Sequence, residues 1–134
     1  MPSRPAVNGA SPRILAITDD PSILALFRDL LKVEGYHVSI RVSVDHDLTE
    51  ITTLQPSLII LDCVGALEDA PWTLLLLLRR DSATVAIPLI LCTGSVRDVE
   101  LLPPHLRVMG ISIVIKPFTL DQLCAAIQER LIAA

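Results

Sequence analysis

The chain has 134 residues, the size of one ordinary domain, and 51% of them are hydrophobic, which is enough for a buried core. Eleven basic residues stand against 15 acidic ones, for a formal net charge of −4, and no basic cluster exceeds the pair Arg79-Arg80. Nucleic-acid binding needs a basic patch, so DNA binding by this chain alone is not expected. The longest apolar run, residues 74–78, is far shorter than the roughly 20 residues of a membrane span.

Three cysteines, Cys63, Cys92 and Cys124, are odd in number, lie in apolar contexts and lack the CxxC spacing of zinc or redox sites. This pattern is typical of free thiols in a reducing cytoplasm. Residues 1–12 contain three prolines, a glycine and polar residues without an apolar core, so they do not form a signal peptide. We expect them to be a flexible tail, followed by one domain over residues 13–134.

Short apolar runs alternate with amphipathic segments along the chain, which predicts alternating strands and helices. The predicted strands cover residues 13–18, 37–42, 57–61, 87–92 and 111–115. The first predicted helix begins at Pro21 and is terminated by Gly35. Four further helices are predicted over residues 44–54, 71–80, 96–102 and 119–131.

Most of these strands are continuously apolar rather than alternating, so both faces of the sheet are expected to be covered. Five strand-helix units with buried strands predict a doubly wound α/β domain with a five-stranded parallel sheet and flanking helices. In such sheets, ligands bind at the carboxyl ends of the strands, near the point where the strand order reverses.

Polar residues stand at the carboxyl ends of the predicted strands. They are Thr18, Asp19 and Asp20 after the first strand, Asp62 after the third, Thr93 after the fourth, and Lys116 with Pro117 after the fifth. Carboxylates, a hydroxyl and an ammonium can together hold Mg²⁺, present an oxygen nucleophile and neutralise a phosphoryl group. Adjacent carboxylates repel each other, and a divalent cation between them and Asp62 would remove that cost.

Each of these residues also has a simpler explanation when it is taken alone. Asp19 and Asp20 fit the N-cap region of the helix that begins at Pro21, where the helix dipole favours negative charge. Asp62 fits a turn after a strand, and Lys116 fits a solvated surface lysine. Their joint order at successive strand ends favours one shared site.

Four motifs in this order resemble the receiver domain of two-component response regulators, of the single-domain chemotaxis type. They are "ILAITDDPSI", "LIILD", "LILCTGS" and "IVIKPF", and the resemblance spans residues 13–131. It implies a (βα)5 flavodoxin-like fold and a cytoplasmic phosphoprotein that accepts a phosphoryl group from a histidine kinase or histidine phosphotransfer protein. Signalling would then occur through contact with a downstream protein. The chain would not be a metabolic enzyme, but it would catalyse its own Mg²⁺-dependent phosphorylation and dephosphorylation.

The resemblance also implies a role for each carboxylate. Asp62 is expected to be the phosphoacceptor, and Asp19 and the backbone carbonyl of Val64 are expected to bind Mg²⁺ together with it. Asp20 is expected to lie near the water shell of the metal.

Two further residues take their expected roles from the same resemblance. Lys116 would pair with the phosphoryl oxygens, and Thr93 would move to hydrogen-bond the phosphoryl group after transfer. A cis peptide bond is expected between Lys116 and Pro117.

The sequence departs from the family pattern in the first motif. Thr18 stands where the family has the first residue of its acidic pair, which predicts weaker metal binding. Alternatively, the register is shifted so that Asp19 and Asp20 form the pair, although the position of Pro21 argues against that shift.

Two other departures concern signalling. Ile113 stands where the family has an aromatic switch residue, and the segment "CVGALEDAPW" after Asp62 lacks the family's Met-Pro pattern. These departures keep an alternative open, in which a degenerate receiver binds proteins independently of phosphorylation. A flavodoxin-like nucleotide-binding function is disfavoured, because no glycine-rich loop follows the first strand. Since no output domain follows the last helix, output is expected by association, with a homodimer left open, unless the chain is a fragment of a larger protein.

Overall fold

A computed structural model describes residues 11–18, 20–33, 35–42, 48–63, 70–94 and 110–133. Within these ranges the strands are β1 (Arg13–Ile17), β2 (His37–Arg41), β3 (Leu58–Cys63), β4 (Leu89–Thr93) and β5 (Ile111–Ile115). The helices of the same ranges are α1 (Pro21–Leu30), α2 (Thr49–Leu54), α3 (Ala70–Arg80) and α4 (Leu120–Ala133).

The five strands form one all-parallel sheet in the order β2-β1-β3-β4-β5. β1 pairs with β2 on one side and with β3 on the other, so successive strands are added to opposite sides of β1 and the strand order reverses there. The predicted doubly wound parallel sheet is therefore confirmed, and the carboxyl ends of β1 and β3 lie side by side at the reversal point.

Both faces of the sheet are covered by apolar side chains, as the continuously apolar strands predict. One face packs against α2 and α3, and its buried residues include Leu15, Leu61, Leu91, Ile51, Leu75 and Leu78. The other face packs against α1 and α4, and its buried residues include Ala16, Ile60, Ile90, Phe27, Leu123 and Ile127. This double coverage fixes the strands, so the residues at their carboxyl ends are held on a rigid frame.

Local sequence explains why α1 begins where it does. The Asp20 side chain caps the helix, and Pro21 occupies the first turn, where a missing backbone N–H costs nothing. Ile23, Phe27 and Leu30 then recur at helical spacing and are buried against the sheet. The short loop between β1 and α1 is therefore held at both of its ends.

Several element boundaries differ from those that the sequence predicts. β3 continues through Cys63, so Asp62 lies inside the strand rather than after it. β4 begins only at Leu89, because residues 81–87 form turns instead of extended strand. At its other end, β4 includes Thr93. The last helix extends to Ala133.

Three predicted segments fall wholly or partly outside the described residues. They are residues 1–10 of the expected tail, residues 44–47 of the second predicted helix, and the helix over residues 96–102. Among the helices of the described ranges, none combines the length and the apolar character that crossing a membrane requires.

Candidate functional site

Asp62 is the only carboxylate among the buried residues of the described ranges, and its side chain is completely buried. It lies on β3, where its Cα is in register with that of Cys92 on β4. A buried carboxylate is strongly destabilising unless other groups compensate its charge and fill its hydrogen-bonding capacity. The residues around its two oxygens therefore decide what this site can do.

Each oxygen of the Asp62 carboxylate faces a different strand. The Thr18 hydroxyl, just beyond β1, donates a hydrogen bond to Asp62 Oδ2 at 2.5 Å. The Lys116 ammonium, just beyond β5, forms an ion pair with Asp62 Oδ1. The two flanking residues belong to strands on opposite sides of β3, so the sheet brings them to the same carboxylate from both directions.

Thr18 is itself buried, with 2% of its surface exposed, and it makes three polar contacts. Its backbone N–H donates to the carbonyl of Arg41 at 3.0 Å, which continues the β1–β2 pairing by one residue. Besides donating to Asp62, its hydroxyl oxygen accepts a hydrogen bond from the Asp20 backbone N–H at 3.0 Å. Thr18 therefore connects the Asp62 carboxylate to the start of α1.

Asp20 caps α1, as the simpler explanation of this residue predicts. Its Oδ1 accepts hydrogen bonds from the Ser22 backbone N–H at 3.0 Å and from the Ser22 hydroxyl at 2.8 Å. Its Oδ2 lies 3.7 Å from Lys116 Nζ. The hydrogen bonds from Ser22 lower the pKa of the Asp20 carboxyl below its ordinary value. They outweigh an opposing effect of burial, and the charge of Lys116 adds a smaller lowering effect on this pKa.

Lys116 and Thr93 are positioned by the end of the sheet. The Lys116 backbone N–H donates to the carbonyl of Thr93 at 2.8 Å, which ties the residue after β5 to the last residue of β4. The predicted cis peptide bond between Lys116 and Pro117 is present. Thr93 is buried with 2% of its surface exposed, whereas the Lys116 side chain keeps 18% exposure and borders solvent.

Cys92 is the register neighbour of Asp62, but its side chain packs in the core on the α1 and α4 face of the sheet. Burial, reinforced by the negative charge of Asp62, raises the pKa of the Cys92 thiol to about 12. The thiol is therefore protonated and unreactive at neutral pH, which agrees with a structural role. Among the described residues, neither Cys92 nor Cys124 forms a disulfide.

The described part of the site fits a hard divalent cation. Carboxylate oxygens are the side-chain ligands that Mg²⁺ prefers. Among the described residues, Asp62 Oδ1 contacts only the Lys116 ammonium, so a lone pair of this oxygen remains available for a further cation contact. Two of the predicted ligands, Asp19 and Val64, lie outside the described residues, and no cluster of three acidic, histidine or cysteine side chains occurs within the described ranges. The metal role of these residues and of Asp20 stays a prediction.

The sequence reasoning missed the contact between Thr18 and Asp62, because it treated Thr18 only as a missing negative charge. The signal was nevertheless present in the pattern. A hydroxyl at the end of β1 lies beside the end of β3 whenever these two strands pair in parallel, and a hydroxyl can donate to a carboxylate.

Known proteins that are similar to this chain include regulators of gene expression. The chain is 32% identical over 127 residues to the DNA-binding dual master transcriptional regulator RpaA of Synechocystis sp., with 90% of this chain and 49% of that protein covered. It is 27% identical over 124 residues to the DNA-binding response regulator MtrA of Mycolicibacterium smegmatis, with 89% and 50% covered. The chain thus spans about half the length of the curated relatives that it matches. No protein-family model matches the sequence.

Solved structures share the same fold over nearly the whole chain. The chemotaxis response regulator CheY4 of Vibrio cholerae superposes with a TM-score of 0.70 at 20% identity, covering 90% of this chain and 99% of that one. The N-terminal domain of the nisin resistance regulator NsrR superposes with a TM-score of 0.65 at 27% identity, covering 90% and 97%.

The strand order β2-β1-β3-β4-β5, with a buried carboxylate and a lysine at the carboxyl edge, defines a doubly wound α/β domain of the CheY-like class. The similarity to response regulators extends through sequence as well as fold. The chain therefore has the fold of response-regulator receiver domains and is similar in sequence to response regulators over about half of their length.

Proposed function

We propose that Asp62 accepts a phosphoryl group from a histidine kinase or a histidine phosphotransfer protein, and that the phosphorylated chain signals by binding another protein. The observation that carries this proposal is the fully buried Asp62 carboxylate between the Thr18 hydroxyl and the Lys116 ammonium, at the carboxyl end of the sheet. A carboxylate with a purely structural role does not need to lie at the carboxyl edge of the sheet. A phosphoacceptor must lie where a phosphoryl donor can reach it from outside, and this edge is where ligands bind in such sheets.

The transfer itself is a substitution at phosphorus. A carboxylate oxygen of Asp62 forms a bond to phosphorus while the phosphorus–nitrogen bond of the donor phosphohistidine breaks, and the nitrogen keeps the electron pair of that bond. The product is an acyl phosphate on Asp62. In its hydrolysis, the oxygen of a water molecule forms a bond to phosphorus while the bond between phosphorus and the Asp62 oxygen breaks, which releases inorganic phosphate and restores the carboxylate. No oxidation or reduction occurs in either step.

Lys116 is suited to stabilise the charge that this reaction moves. Its ammonium already lies against Asp62 Oδ1 and keeps some exposure to solvent, so it can follow the negative charge from the carboxylate to the transferred phosphoryl oxygens. Bound Mg²⁺ would supply further charge neutralisation, held by Asp62, Asp19 and the carbonyl of Val64. Thr93 would donate its hydroxyl to the phosphoryl group from the end of β4.

The same proposal covers partners and location. The curated relatives are named as DNA-binding regulators, but this chain spans only about half of each, and its net charge of −4 does not suit a polyanion. We therefore assign protein partners, rather than DNA, to this chain. We also place it in the cytoplasm, where thiols such as that of Cys92 remain reduced.

The direct test is intact-mass analysis of the chain after incubation with acetyl phosphate and Mg²⁺. We expect a mass increase of one phosphoryl group, which is absent when EDTA replaces Mg²⁺ and absent in Asp62→Asn. The matched control is Asp29→Asn on the exposed side of α1, which removes the same charge elsewhere and should be phosphorylated like the unmodified chain.

Two results would count against the proposal. A mass increase that persists in Asp62→Asn would place the acceptor elsewhere. No increase with acetyl phosphate, or with a phosphorylated histidine donor, would favour the alternative of a receiver that binds its partners independently of phosphorylation.

A further inference from the structure

We infer that Thr18 is a positioning residue for Asp62, whose hydroxyl holds the acceptor carboxylate in place when no cation is bound. The inference rests on the proposed function, because it concerns the same carboxylate. Under this inference Thr18 orients the Asp62 carboxylate. From the sequence, by contrast, Thr18 is expected only to lack the negative charge of the family's acidic residue.

The first argument comes from the partners of Asp62. A completely buried carboxylate needs compensation at both oxygens, and Lys116 serves only Oδ1. The contact to Oδ2 comes from Thr18, at 2.5 Å. Without that hydroxyl, Oδ2 would lose this hydrogen bond while the Asp62 side chain is completely buried.

The second argument comes from the rigidity of Thr18. Its backbone is fixed by the hydrogen bond to the carbonyl of Arg41, and its β-branched side chain has few available χ1 rotamers. The hydroxyl also accepts from the Asp20 N–H, so its proton is left to point at Asp62. The donor is therefore preorganised, and the carboxylate takes the orientation that this donor dictates.

The third argument comes from charge. A carboxylate at position 18 would stand beside the Asp62 carboxylate, and two like charges at a buried site need a cation to hold them together. A neutral hydroxyl instead attracts the carboxylate by itself. We therefore expect the acceptor of this chain to be ordered without Mg²⁺.

A double-mutant cycle measures whether Thr18 acts through Asp62. The four proteins are the unmodified chain, Thr18→Val, Asp62→Ala and the double variant, each unfolded with urea in the presence of EDTA. We expect Thr18→Val to raise the unfolding equilibrium constant about tenfold more when Asp62 is present than in the Asp62→Ala background, a coupling equivalent to about 1.4 kcal/mol. In the Asp62→Ala background, Thr18→Val removes only the hydrogen bond from the Asp20 N–H. Thr18→Ser, which keeps the hydroxyl, should restore most of the loss.

The matched control is Thr84, another buried threonine, whose hydroxyl donates to the carbonyl of Leu78 at 2.7 Å. It precedes β4, whereas Asp62 pairs with the carboxyl half of that strand. Thr84→Val should also raise the unfolding constant, but by the same factor whether or not Asp62 is present.

A second measurement reports on the carboxylate itself. The ¹³C signal of the Asp62 side-chain carboxyl, identified by its loss in Asp62→Ala, should shift in Thr18→Val and stay in place in Thr18→Ser and Thr84→Val. If Thr18→Val does not fold, Thr18→Ala replaces it, since it adds no bulk at this buried position.

The inference is overturned if Thr18→Val raises the unfolding constant by the same factor in both backgrounds, since Thr18 would then serve only the Asp20 N–H. An unshifted Asp62 carboxyl signal in Thr18→Val would overturn it equally. Neither measurement uses a phosphoryl donor or Mg²⁺, so this result is separate from the success or failure of the phosphorylation assay.

Discussion

Two groups of polar side chains lie at opposite ends of the sheet, and they differ in the partners they bind. At the carboxyl end is the acceptor cluster, named for the role proposed for Asp62 and defined as Thr18, Asp62, Thr93 and Lys116. Before β4, at the amino end, is the arginine brace, defined as Arg79 and Thr84 with the backbone carbonyls that they contact. All of these side chains are buried except that of Lys116, which keeps 18% exposure.

The arginine brace binds only backbone in the contacts that define it. The Arg79 guanidinium donates to the carbonyls of Thr84 at 3.3 Å, Val85 at 3.0 Å and Ile87 at 2.8 Å. Burial lowers the pKa of Arg79, although a guanidinium stays charged at neutral pH. These contacts hold the turns of residues 81–87 in place, and these turns lead into β4.

In the acceptor cluster, the groups around Asp62 are side chains rather than carbonyls. The Lys116 ammonium stands on a flexible stem, so it can turn to a new ligand without breaking a strand or a helix. A backbone carbonyl cannot do so, because its position is set by the fold. Burial alone therefore does not distinguish the two groups, whereas the nature of their partners separates the brace from the proposed acceptor site.

The largest effect is expected from a substitution that removes the arginine brace. Arg79→Met keeps the apolar bulk but removes the Arg79 hydrogen bonds to three carbonyls, of which that of Thr84 still accepts from the Ile87 N–H. We expect a loss of about 2 to 4 kcal/mol in the free energy of unfolding. Urea denaturation measures this loss. The matched control is Arg80→Met, which removes the same charge from the exposed neighbour and should change stability by less than about 0.5 kcal/mol.

The same variant sharpens the comparison between the two groups. Under conditions where Arg79→Met is still folded, it should take up a phosphoryl group on Asp62 like the unmodified chain. Loss of phosphorylation in the folded variant would contradict the division into a brace and a reactive site.

An intermediate effect is expected when charge is added to the acceptor cluster. Thr18→Asp places a second carboxylate beside Asp62, which should tighten Mg²⁺ binding about tenfold, because two negative charges attract the cation more strongly than one. Calorimetric titration with Mg²⁺ measures the affinity, and Thr18→Asn, of similar shape without the charge, is the control. Unchanged affinity in Thr18→Asp would instead indicate that Asp20 already fills this role in a shifted register.

The smallest effect is expected at Ile113 on β5. Its side chain is half-buried and packs against the core on the α2 and α3 face, and it has no polar group that favours exposure. We expect beryllofluoride with Mg²⁺ to change the signals of Thr93 and Lys116 while leaving the Ile113 methyl signals nearly unchanged. Methyl NMR checks this, with Asp62→Asn under the same conditions as the control. A large Ile113 shift with new solvent exposure would mean that a switch operates here without an aromatic residue.

Much of the fold follows from local sequence alone. Continuously apolar strands, separated by helices with one apolar face, require a parallel sheet that is covered on both sides, and the structure has that sheet. The start of α1, with Asp20 as its N-cap and Pro21 in its first turn, could also be predicted, because capping depends on neighbouring residues only. Strand ends were less predictable, since pairing with neighbours extends β3 through Asp62 and delays β4 until Leu89.

Which polar residues stand at the carboxyl ends of the strands follows from the sequence, because the order of apolar runs and polar breaks is local to the chain. How these residues contact one another depends on the fold. Thr18, Asp62 and Lys116 are far apart in sequence, and parallel pairing of β1, β3, β4 and β5 brings them together. Which oxygen of Asp62 meets the hydroxyl and which meets the ammonium depends on strand register and side-chain rotamers, and these are fixed by packing across the whole sheet.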